Sequence, residues 1–303
     1  SVYSPNEGVS LTITLTEWQR ADAIHLSGTS GGDGNALYVD VDQDGFRDRA
    51  GNGCNDLYGV NVVEIRDSIM PTVTEILVFF SNGTVVIRFS EVIDVTPEAY
   101  VQLDKIFLAN VSTDAAKSVS LSGATITSVD GLFLRLILSE PQRIRALEFS
   151  AEQGGDGVPL VADVYAGAVR DRAQNPNGDT LGFVVIEEPD TVPPRLISAK
   201  LDLNVGMLTL NCSEYIDATP ASLINLSNLA LRNTTFDSGT NLVGATVTAF
   251  DAYKINISLT EEQRASALKL SGTPGGDGGA LFLRAQPAAF QDIALNPSTE
   301  SFT

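Results

Sequence analysis

The sequence writes nearly the same phrase three times: Leu15-Thr-Glu-Trp-Gln-Arg…Gly-Gly-Asp-Gly34, Leu138-Ser-Glu-Pro-Gln-Arg…Gly-Gly-Asp-Gly157 and Leu259-Thr-Glu-Glu-Gln-Arg…Gly-Gly-Asp-Gly278. The first glycine of the Gly-Gly-Asp-Gly group recurs after 123 residues, from Gly31 to Gly154, and after a further 121, at Gly275. A period this long is typical of repeated whole domains rather than of short solenoid units. We therefore expect a tandem array of domains.

Each copy of the phrase predicts one short helix followed by a glycine loop. In a capping box the N-cap hydroxyl accepts from an early backbone N–H, and a Gln three residues later reaches back to the cap. The pairs with this spacing are Thr16–Gln19, Ser139–Gln142 and Thr260–Gln263. The glycines that follow permit positive φ. The phrase is therefore first of all a folding signature.

Most of the remaining sequence has a hydrophobic period of two. Apolar residues alternate with other residues over 9–15, 132–138 and 253–259. This pattern places one face of a strand in a core and the other in water. Several short strands with Gly, Asn and Pro between them, in about 120 residues, predict an antiparallel β-sandwich. The predicted fold class is all-β, with one short helical turn in each domain.

The domain boundaries are predicted at two matching linkers. Glu64–Pro71 and Glu187–Pro194 align at a spacing of 123, and each introduces proline, which stiffens a short linker by fixing φ. The predicted repeats are 1–67, 68–190 and 191–303, called here the first, second and third copies. The first copy holds the C-terminal half of a repeat, so we expect an excerpt of a longer chain or ends completed by strands of neighbouring subunits.

The composition excludes two classes of partner. Nineteen Lys and Arg stand against 38 Asp and Glu, a net charge of −19, so the chain repels nucleic acid. No apolar run approaches the roughly 18 residues that span a bilayer. The two cysteines, Cys54 and Cys212, lie more than one repeat apart, and we do not expect them to pair. In its alternating strand Cys212 reads as a small buried hydrophobic residue.

Two further phrases resemble a known family. They are the strand end Phe89-Ser-Glu-Val-Ile-Asp94, repeated as Cys212-Ser-Glu-Tyr-Ile-Asp217, and the closing Asp48-Arg-Ala-Gly-Asn52. With a proline at the start of each unit, they resemble the bacterial-type Ig-like, cadherin-like repeats of extracellular adhesins and cell-surface appendage proteins. The resemblance implies tandem Ig-like antiparallel β-sandwich domains and a non-catalytic role outside the cell.

One stretch of the first copy predicts a calcium site, Asp40-Val-Asp-Gln-Asp-Gly-Phe-Arg-Asp48. Carboxylates at loop positions 1, 3, 5 and 9 and a glycine at position 6 match the oxygen cage of a Ca²⁺ loop. The predicted ligands are Asp40, Asp42, Asp44, the Phe46 carbonyl and Asp48. The acidic triplet is absent from the other copies, so calcium is predicted in the first repeat alone. A solvated acidic turn is the alternative, and turn capping suffices to explain Asp48, which recurs as Asp171 and Asp292.

A weaker hypothesis places calcium between domains at the linkers, as in cadherins. Its candidates are Glu64 with Asp67 and Glu187 with Asp190. The alternative, solvated linker charge, is favoured because the ligand sets of that family are incomplete here.

Asn-x-Ser/Thr sequons predict glycosylation in a secreted protein. The candidate residues are Asn82, Asn110, Asn225, Asn233 and Asn256. Trp18, the single tryptophan, is a candidate interface residue that contacts a sugar or a neighbouring subunit, and packing on its own domain is the alternative. Its counterparts Pro141 and Glu262 show that the fold does not require an aromatic ring there.

Catalysis finds little support in the sequence. His25 is the only histidine, and its counterparts are Glu148 and Lys269, so a nucleophile–histidine triad and a histidine-rich zinc site are not expected. The predicted function is a structural or adhesive repeat protein that forms an extracellular stalk, filament or surface appendage. Its expected partners are copies of itself, neighbouring repeats of a longer chain, or glycans. The alternative is a carbohydrate-binding accessory region of a secreted enzyme.

Overall fold

A computed structural model describes residues 2–3, 9–233 and 239–303. The chain forms two compact units. Unit 1 contains Ser1–Val78, Thr84–Ser139 and Leu160–Ile186, and unit 2 contains Phe79–Gly83, Glu140–Pro159 and Glu187–Thr303. The helix and glycine loop of the second copy therefore belong to the same unit as the sheets of the third copy. The boundaries of the three sequence copies stay a prediction.

The regular elements within the described residues are three short α-helices, five 3-10 helices of three residues each and 21 strands. The helices are α1 (Glu17–His25), α2 (Glu140–Glu148) and α3 (Glu261–Lys269). The strands before the second linker are β1 (Val2–Tyr3), β2 (Ile13–Thr14), β3 (Tyr38–Val41), β4 (Leu57–Asn61), β5 (Val73–Phe79), β6 (Thr84–Ile93), β7 (Ile106–Ala109), β8 (Ser118–Ser120), β9 (Thr125–Ile126), β10 (Gly131–Ile137), β11 (Val161–Val164), β12 (Thr180–Val184) and β13 (Ile186–Glu188). Those after it are β14 (Leu196–Asp202), β15 (Met207–Ile216), β16 (Leu229–Arg232), β17 (Thr240–Asn241), β18 (Thr246–Val247), β19 (Ala252–Ser258), β20 (Phe282–Ala285) and β21 (Ser301–Phe302).

Unit 1 is built on two antiparallel sheets, with strand orders β13-β5-β6-β10-β9 and β12-β11-β7-β8. The predicted alternation of β10 is confirmed, because Leu134 and Leu136 are fully buried whereas Arg135 and Ile137 are exposed. Leu134 lies opposite Ile87 of β6 in the ladder. Two small two-stranded sheets, β1-β2 and β3-β4, belong to the first copy.

Unit 2 repeats this plan with sheets of order β14-β15-β19-β18 and β17-β16-β20-β21. Its core joins alternate residues of both sheets, among them Leu208, Leu210, Ile257, Leu229 and Leu283. Cys212 lies in the same core, as predicted, and is shielded from solvent. The expectation of an all-β sandwich fold is therefore confirmed.

Predicted capping boxes are present at the first and third helices, α1 and α3. Thr16 accepts from the backbone of Gln19, whose side chain accepts from the backbone of Thr16, and Thr260 with Gln263 makes the same exchange. The second helix, α2, begins at Glu140, directly after Ser139. Within the described part of the chain no helix is long and apolar enough to cross a membrane.

Candidate functional site

The most deeply buried charged cluster lies in unit 2 around Arg143. Its guanidinium side chain is 5% exposed and binds three carboxylates and one carbonyl. Nη2 lies 2.6 Å from Glu140 Oε1 and 3.1 Å from Glu214 Oε2, while Nη1 binds Asp190 and lies 2.8 Å from the carbonyl oxygen of Phe80. We call Glu140, Arg143, Asp190 and Glu214 the arginine–carboxylate cluster of unit 2.

The members of this cluster come from both sides of the second linker. Glu140 and Arg143 are one turn apart on α2, and residues at this spacing lie on the same helix face. Asp190 lies in the linker and Glu214 lies in β15 of the third copy. The helix of one copy is thereby bound to the linker and to a strand of the next copy.

Unit 1 contains the same arrangement in Glu17, Arg20, Asp67 and Glu91. Arg20 Nη2 lies 2.7 Å from Glu17 Oε1 and 2.5 Å from Glu91 Oε2, and Nη1 binds Asp67. Arg20 is more exposed than Arg143. The recurrence shows that the cluster belongs to the repeat.

The third copy provides an internal comparison. Arg264 Nη2 lies 2.6 Å from Glu261 Oε1, and Nη1 donates to the carbonyl oxygen of Leu203 at 2.8 Å. Glu261 is 75% exposed, and within the described residues Arg264 has no ion pair with another carboxylate. The helix therefore supplies a preformed Glu-x-x-Arg pair, and the linker and the following copy supply the rest.

In and beside the unit 2 cluster, burial and neighbouring charges shift the pKa values of the arginine and of two carboxylates. Burial, with the charges of Asp190 and Asp292 adding to it, raises the pKa of Glu214 to about 7. Burial by itself would lower the pKa of Arg143, but its contacts with Glu140 and Asp190 raise that pKa above its ordinary value. Burial also raises the pKa of Asp292. The guanidinium is thus firmly charged, whereas burial favours the protonated forms of Glu214 and Asp292.

An Asp–Asn turn ties the end of each complete copy to its linker. Asp292 Oδ1 accepts from the backbone N of Asn296 at 2.8 Å, and Oδ2 accepts from its Nδ2 at 3.0 Å. Asn296 Nδ2 also lies 3.1 Å from the carbonyl oxygen of Asp190. The corresponding pairs are Asp171–Asn175, with Asn175 near the Asp67 carbonyl, and Asp48–Asn52.

The glycine loop makes a second connection to the next copy. A Cβ atom on Gly31 would lie 1.8 Å from the carbonyl oxygen of Arg172, and one on Gly154 would lie 2.2 Å from that of Ile293. Both glycines also have φ near +90°, a conformation that glycine adopts without strain. His25 Nδ1 lies 2.9 Å from Arg172 Nη2, so the single histidine also takes part in this contact.

Trp18, the predicted interface residue, lies against the second copy in unit 1. Its ring is over Gly131 of β10, where an added Cβ would be 3.2 Å from Cη2. The residue is 52% exposed. In the following copies Pro141 stands at the position of Trp18, and Ala252 stands at the position of Gly131. The large indole ring is therefore paired with glycine, and the smaller proline ring with alanine. The structure therefore places Trp18 where the first copy meets the second.

In the predicted calcium loop, oxygen atoms of every candidate ligand take part in hydrogen bonds or in an ion pair. Asp40 Oδ1 accepts from Gly59 N at 2.7 Å, Asp42 Oδ1 accepts from the Tyr58 hydroxyl at 3.2 Å, and Asp44 binds Arg47 at 3.2 Å. The Phe46 carbonyl accepts from Cys54 N at 3.0 Å, and both carboxylate oxygens of Asp48 accept from Asn52. In the described chain no three carboxylates of this loop come within 4.8 Å of one another. The loop is exposed and does not gather its carboxylates around one point.

The predicted glycosylation sites differ in their accessibility. Asn82 lies exposed in the turn between β5 and β6, and Asn225 is exposed and accepts from Ser227, its own sequon residue. Asn256 lies within β19 and accepts from Thr209. Asn233 donates to Asp277, and Thr235, which completes its sequon, lies outside the described residues. These four sites stay predictions.

Asn110 is the least accessible of the predicted glycosylation sites. The residue is 9% exposed and directly follows β7. Its glycosylation, like that of the other four residues, stays a prediction.

Sequence reasoning missed Arg20, Arg143, Glu91 and Glu214 as site residues. The signals were present, because Arg recurs in the repeated phrase and Ser-Glu recurs in the strand phrase. Each phrase has a sufficient local explanation, and only their meeting in space reveals the cluster.

Comparisons with known proteins show weak likenesses in fold. The N-terminal part of the bacterial S-layer protein SbsC matches with a TM-score of 0.27 and 12% identity, over 64% of this chain and 45% of that one. Dimeric latent PorU from Porphyromonas gingivalis matches with a TM-score of 0.23 and 13% identity, over 84% of this chain and 25% of that one. The N-terminal four Ig domains of Dscam1 isoform 8.4 match with a TM-score of 0.19 and 11% identity, over 76% of this chain and 51% of that one.

The chain spans about half or less of the length of each of these structures. At such TM-scores the likenesses assign no function to it. No protein-family model and no curated protein matches the chain.

Proposed function

We propose that this chain is a non-catalytic structural segment of an extracellular repeat protein, in which the helix of each copy is locked onto the next copy. The observation that carries the proposal is the Arg143 cluster of unit 2. One buried guanidinium binds its own helix through Glu140, the linker through Asp190 and the next copy through Glu214. A stalk, filament or surface appendage needs such fixed connections between successive domains.

The linker is the part of a repeat protein that ordinarily allows bending. Here the Asp190 side chain is fully buried, and its backbone carbonyl accepts from Asn296. Charge-assisted hydrogen bonds with a planar guanidinium are directional, so they fix orientation as well as distance. The glycine loop adds a second point of attachment through Gly154, and two separated attachments resist rotation.

Copies of the chain or neighbouring repeats are the partners that this function requires. Calcium at Asp40–Asp48 and glycans at the exposed sequons are further elements of the proposal. Trp18, half exposed beside Gly131, is the residue through which glycan binding would act in the alternative function.

Distance measurements between two spin labels test the proposed lock. In a Cys54→Ser background, labels at Glu148 on α2 and at Val205 between β14 and β15 both lie on exposed positions of unit 2. We expect one narrow distance distribution in the parent and a clearly broader one in Arg143→Gln. Arg264→Gln is the matched control, because Arg264 lacks the linker and strand partners, and it should leave the distribution narrow. Equal widths in all three proteins would refute the lock.

A further inference from the structure

Each arginine–carboxylate cluster adjoins a compact group of three carboxylates. In unit 2 these are Asp190, Glu214 and Asp292, and in unit 1 they are Asp67, Glu91 and Asp171. One oxygen of each residue lies within 4.8 Å of one oxygen of each of the other two. We call these groups the triads of unit 2 and unit 1. All three residues of the unit 2 triad are buried, as are Glu91 and Asp171.

The positive charge beside each triad is too small to neutralise it. In unit 2 the triad and Glu140 present four carboxylates to one guanidinium, that of Arg143. Buried charges are unfavourable unless they are paired or coordinate a metal. Additional positive charge would therefore stabilise these carboxylates. Unit 1 has the same excess of carboxylates over guanidinium groups around Arg20.

A second observation concerns Glu91 alone. The residue is 5% exposed, and its Oε1 atom has no hydrogen-bond partner among the described residues, although Oε2 accepts from Arg20. Buried polar atoms are partnered in the large majority of cases, and an ion is one of the standard partners. This carboxylate lies within 4.8 Å of oxygens of both Asp67 and Asp171.

We propose that each triad binds a hard divalent cation, calcium in the first place, beside the arginine. The three ligands are carboxylate oxygens, which suit Ca²⁺, Mg²⁺ and Mn²⁺ rather than the softer metals. Calcium binds its oxygens at about 2.3–2.6 Å, so two ligands of one ion lie at most about 5 Å apart, as the triads allow. Calcium is favoured over magnesium because it accepts irregular geometry and fewer bound waters.

The arginine and the cation use different parts of the carboxylates. Arg20 takes Glu91 Oε2 and leaves Oε1 open. Asp171 accepts one hydrogen bond from Asn175 at each oxygen, and each carboxylate oxygen has a second lone pair. The Asp–Asn turn thus holds the ligand in place, which gives this recurring pair a role beyond closing the turn.

The ligands differ from those of the linker hypothesis. Asp67 and Asp190 are retained, but Glu64 instead caps the backbone N–H groups of Gly28 and Leu37. The other ligands come from the strand phrase and the closing turn of the following copy. With three protein ligands, we expect an affinity in the range of extracellular modules, about 10⁻⁴–10⁻³ M.

This inference rests on the proposed function in that the same carboxylates hold the arginine lock. A calorimetric titration of the whole chelator-treated chain with CaCl₂ alone tests it, in an Asp42→Asn background that removes the predicted loop site. We expect about two ions per chain. The melting temperature should rise by about 5 °C when calcium exceeds its Kd about 100-fold.

Variants assign the ions to the triads. Glu91→Gln and Glu214→Gln should each lose one ion, and the double variant should lose both together with the rise in melting temperature. Glu262→Gln, at an exposed position of α3, is the control and should behave as the parent. Because each Gln variant removes one of several crowded negative charges, it should melt in chelator at or above the parent temperature.

Terbium luminescence provides a readout that does not depend on melting. Tyr215 adjoins Glu214 and lies 4.8 Å, ring to ring, from Tyr253, so Tb³⁺ in the unit 2 triad should be sensitised by excitation of tyrosine. The signal should fall at least several-fold in Glu214→Gln and should be displaced by calcium.

Each outcome decides one of the two proposals. A parent without calcium binding overturns the inference, and so does a calcium response that persists in the double variant. If the spin-label distribution in chelator is narrow while no calcium binds, the lock stands and the cation site fails. If calcium binds but Arg143→Gln does not broaden the distribution, the reverse holds.

Discussion

Arg143 and Glu214 are 71 positions apart in the chain, and Nη2 of the arginine lies 3.1 Å from Oε2 of the glutamate. The same separation of 71 positions joins Arg20 to Glu91, and a separation of 47 joins each arginine to its linker aspartate. Equal separations at two places mean that the repeat preserves the contact between one copy and the next, as well as the fold of each copy.

Loss of the buried guanidinium should destabilise unit 2 strongly. Arg143→Gln leaves three carboxylates without their partner, and breaking a buried ion pair from one side costs about 3–5 kcal/mol. The free energy of unfolding, measured by urea denaturation and circular dichroism, should fall by this amount. Arg264→Gln removes the more exposed counterpart, whose side chain is 30% exposed, and should cost far less. Similar losses in both variants would mean that burial of the cluster is irrelevant to its strength.

The raised pKa of Glu214 makes unit 2 sensitive to pH when calcium is chelated. The folded-state pKa of about 7 lies above the ordinary value of 4.5, so the folded form holds the proton more tightly than the unfolded form. The resulting stability is complete below about pH 4.5 and is lost as the pH rises through about 7, by about 2–3 kcal/mol. Unfolding free energies of parent and Glu214→Gln should therefore diverge across this window. Parallel pH profiles would show that Glu214 titrates normally.

Emission from the single tryptophan reports the contact between Trp18 and Gly131. A side chain at position 131 meets the indole ring at 3.2 Å, so Gly131→Val should push the ring into solvent and shift its emission to the red. Gly178→Ala is the control, because a Cβ there meets nothing within 4 Å. Added oligosaccharides should leave the parent emission unchanged if the function is structural. A saturable change would instead favour the glycan-binding alternative.

The two cysteines should differ sharply in reactivity. Burial, with the Glu214 charge adding to it, raises the pKa of Cys212 to about 12, so this thiol should not react with a thiol reagent in the folded protein up to about pH 9. Cys54 is partly exposed and should react. Counting modified thiols by mass spectrometry should give one in the native protein and two in denaturant. Modification of Cys212 under native conditions would contradict its place in the core.

Calcium at the acidic loop has its own local test. Cys54 Sγ lies 3.6 Å from the Asp42 carbonyl oxygen, and the backbone of Cys54 pairs with Asp44 and Phe46. In a Glu91→Gln, Glu214→Gln background, bound calcium should slow alkylation of Cys54 several-fold and raise the melting temperature. Both effects should vanish in Asp42→Ala. A parent loop that shows neither effect does not bind calcium.

Local features of the fold were predictable from the sequence because their causes lie close together in the chain. The capping box of Thr16 and Gln19 spans four residues, and the inward positions Leu134 and Leu136 follow from a period of two. The Asp48–Asn52 turn likewise depends on a spacing of four. In each case a few neighbouring residues determine the geometry.

The candidate site was not predictable in the same way. Arg143 and Glu214 each have an ordinary local environment, and their shared burial arises only when a helix packs on the strands of the next copy. Spacing alone does not decide the calcium loop either, and that site stays a prediction. The carboxylates of Asp40, Asp42 and Asp44 match a known pattern but contact separate partners. Regular spacing in the sequence indicates which side chains can lie close together. Burial in the folded structure determines which of their charges require an opposite charge.

The pairing of Trp18 with Gly131, where the next copies have Pro141 and Ala252, has a consequence for the order of the copies. A rearranged gene that placed the first helix before the third copy would set an indole against a methyl group. The residues at each connection therefore fit one particular neighbouring copy. The order of the copies along the chain is thus part of the structure, and duplication of a copy without further substitutions would not preserve these matched contacts.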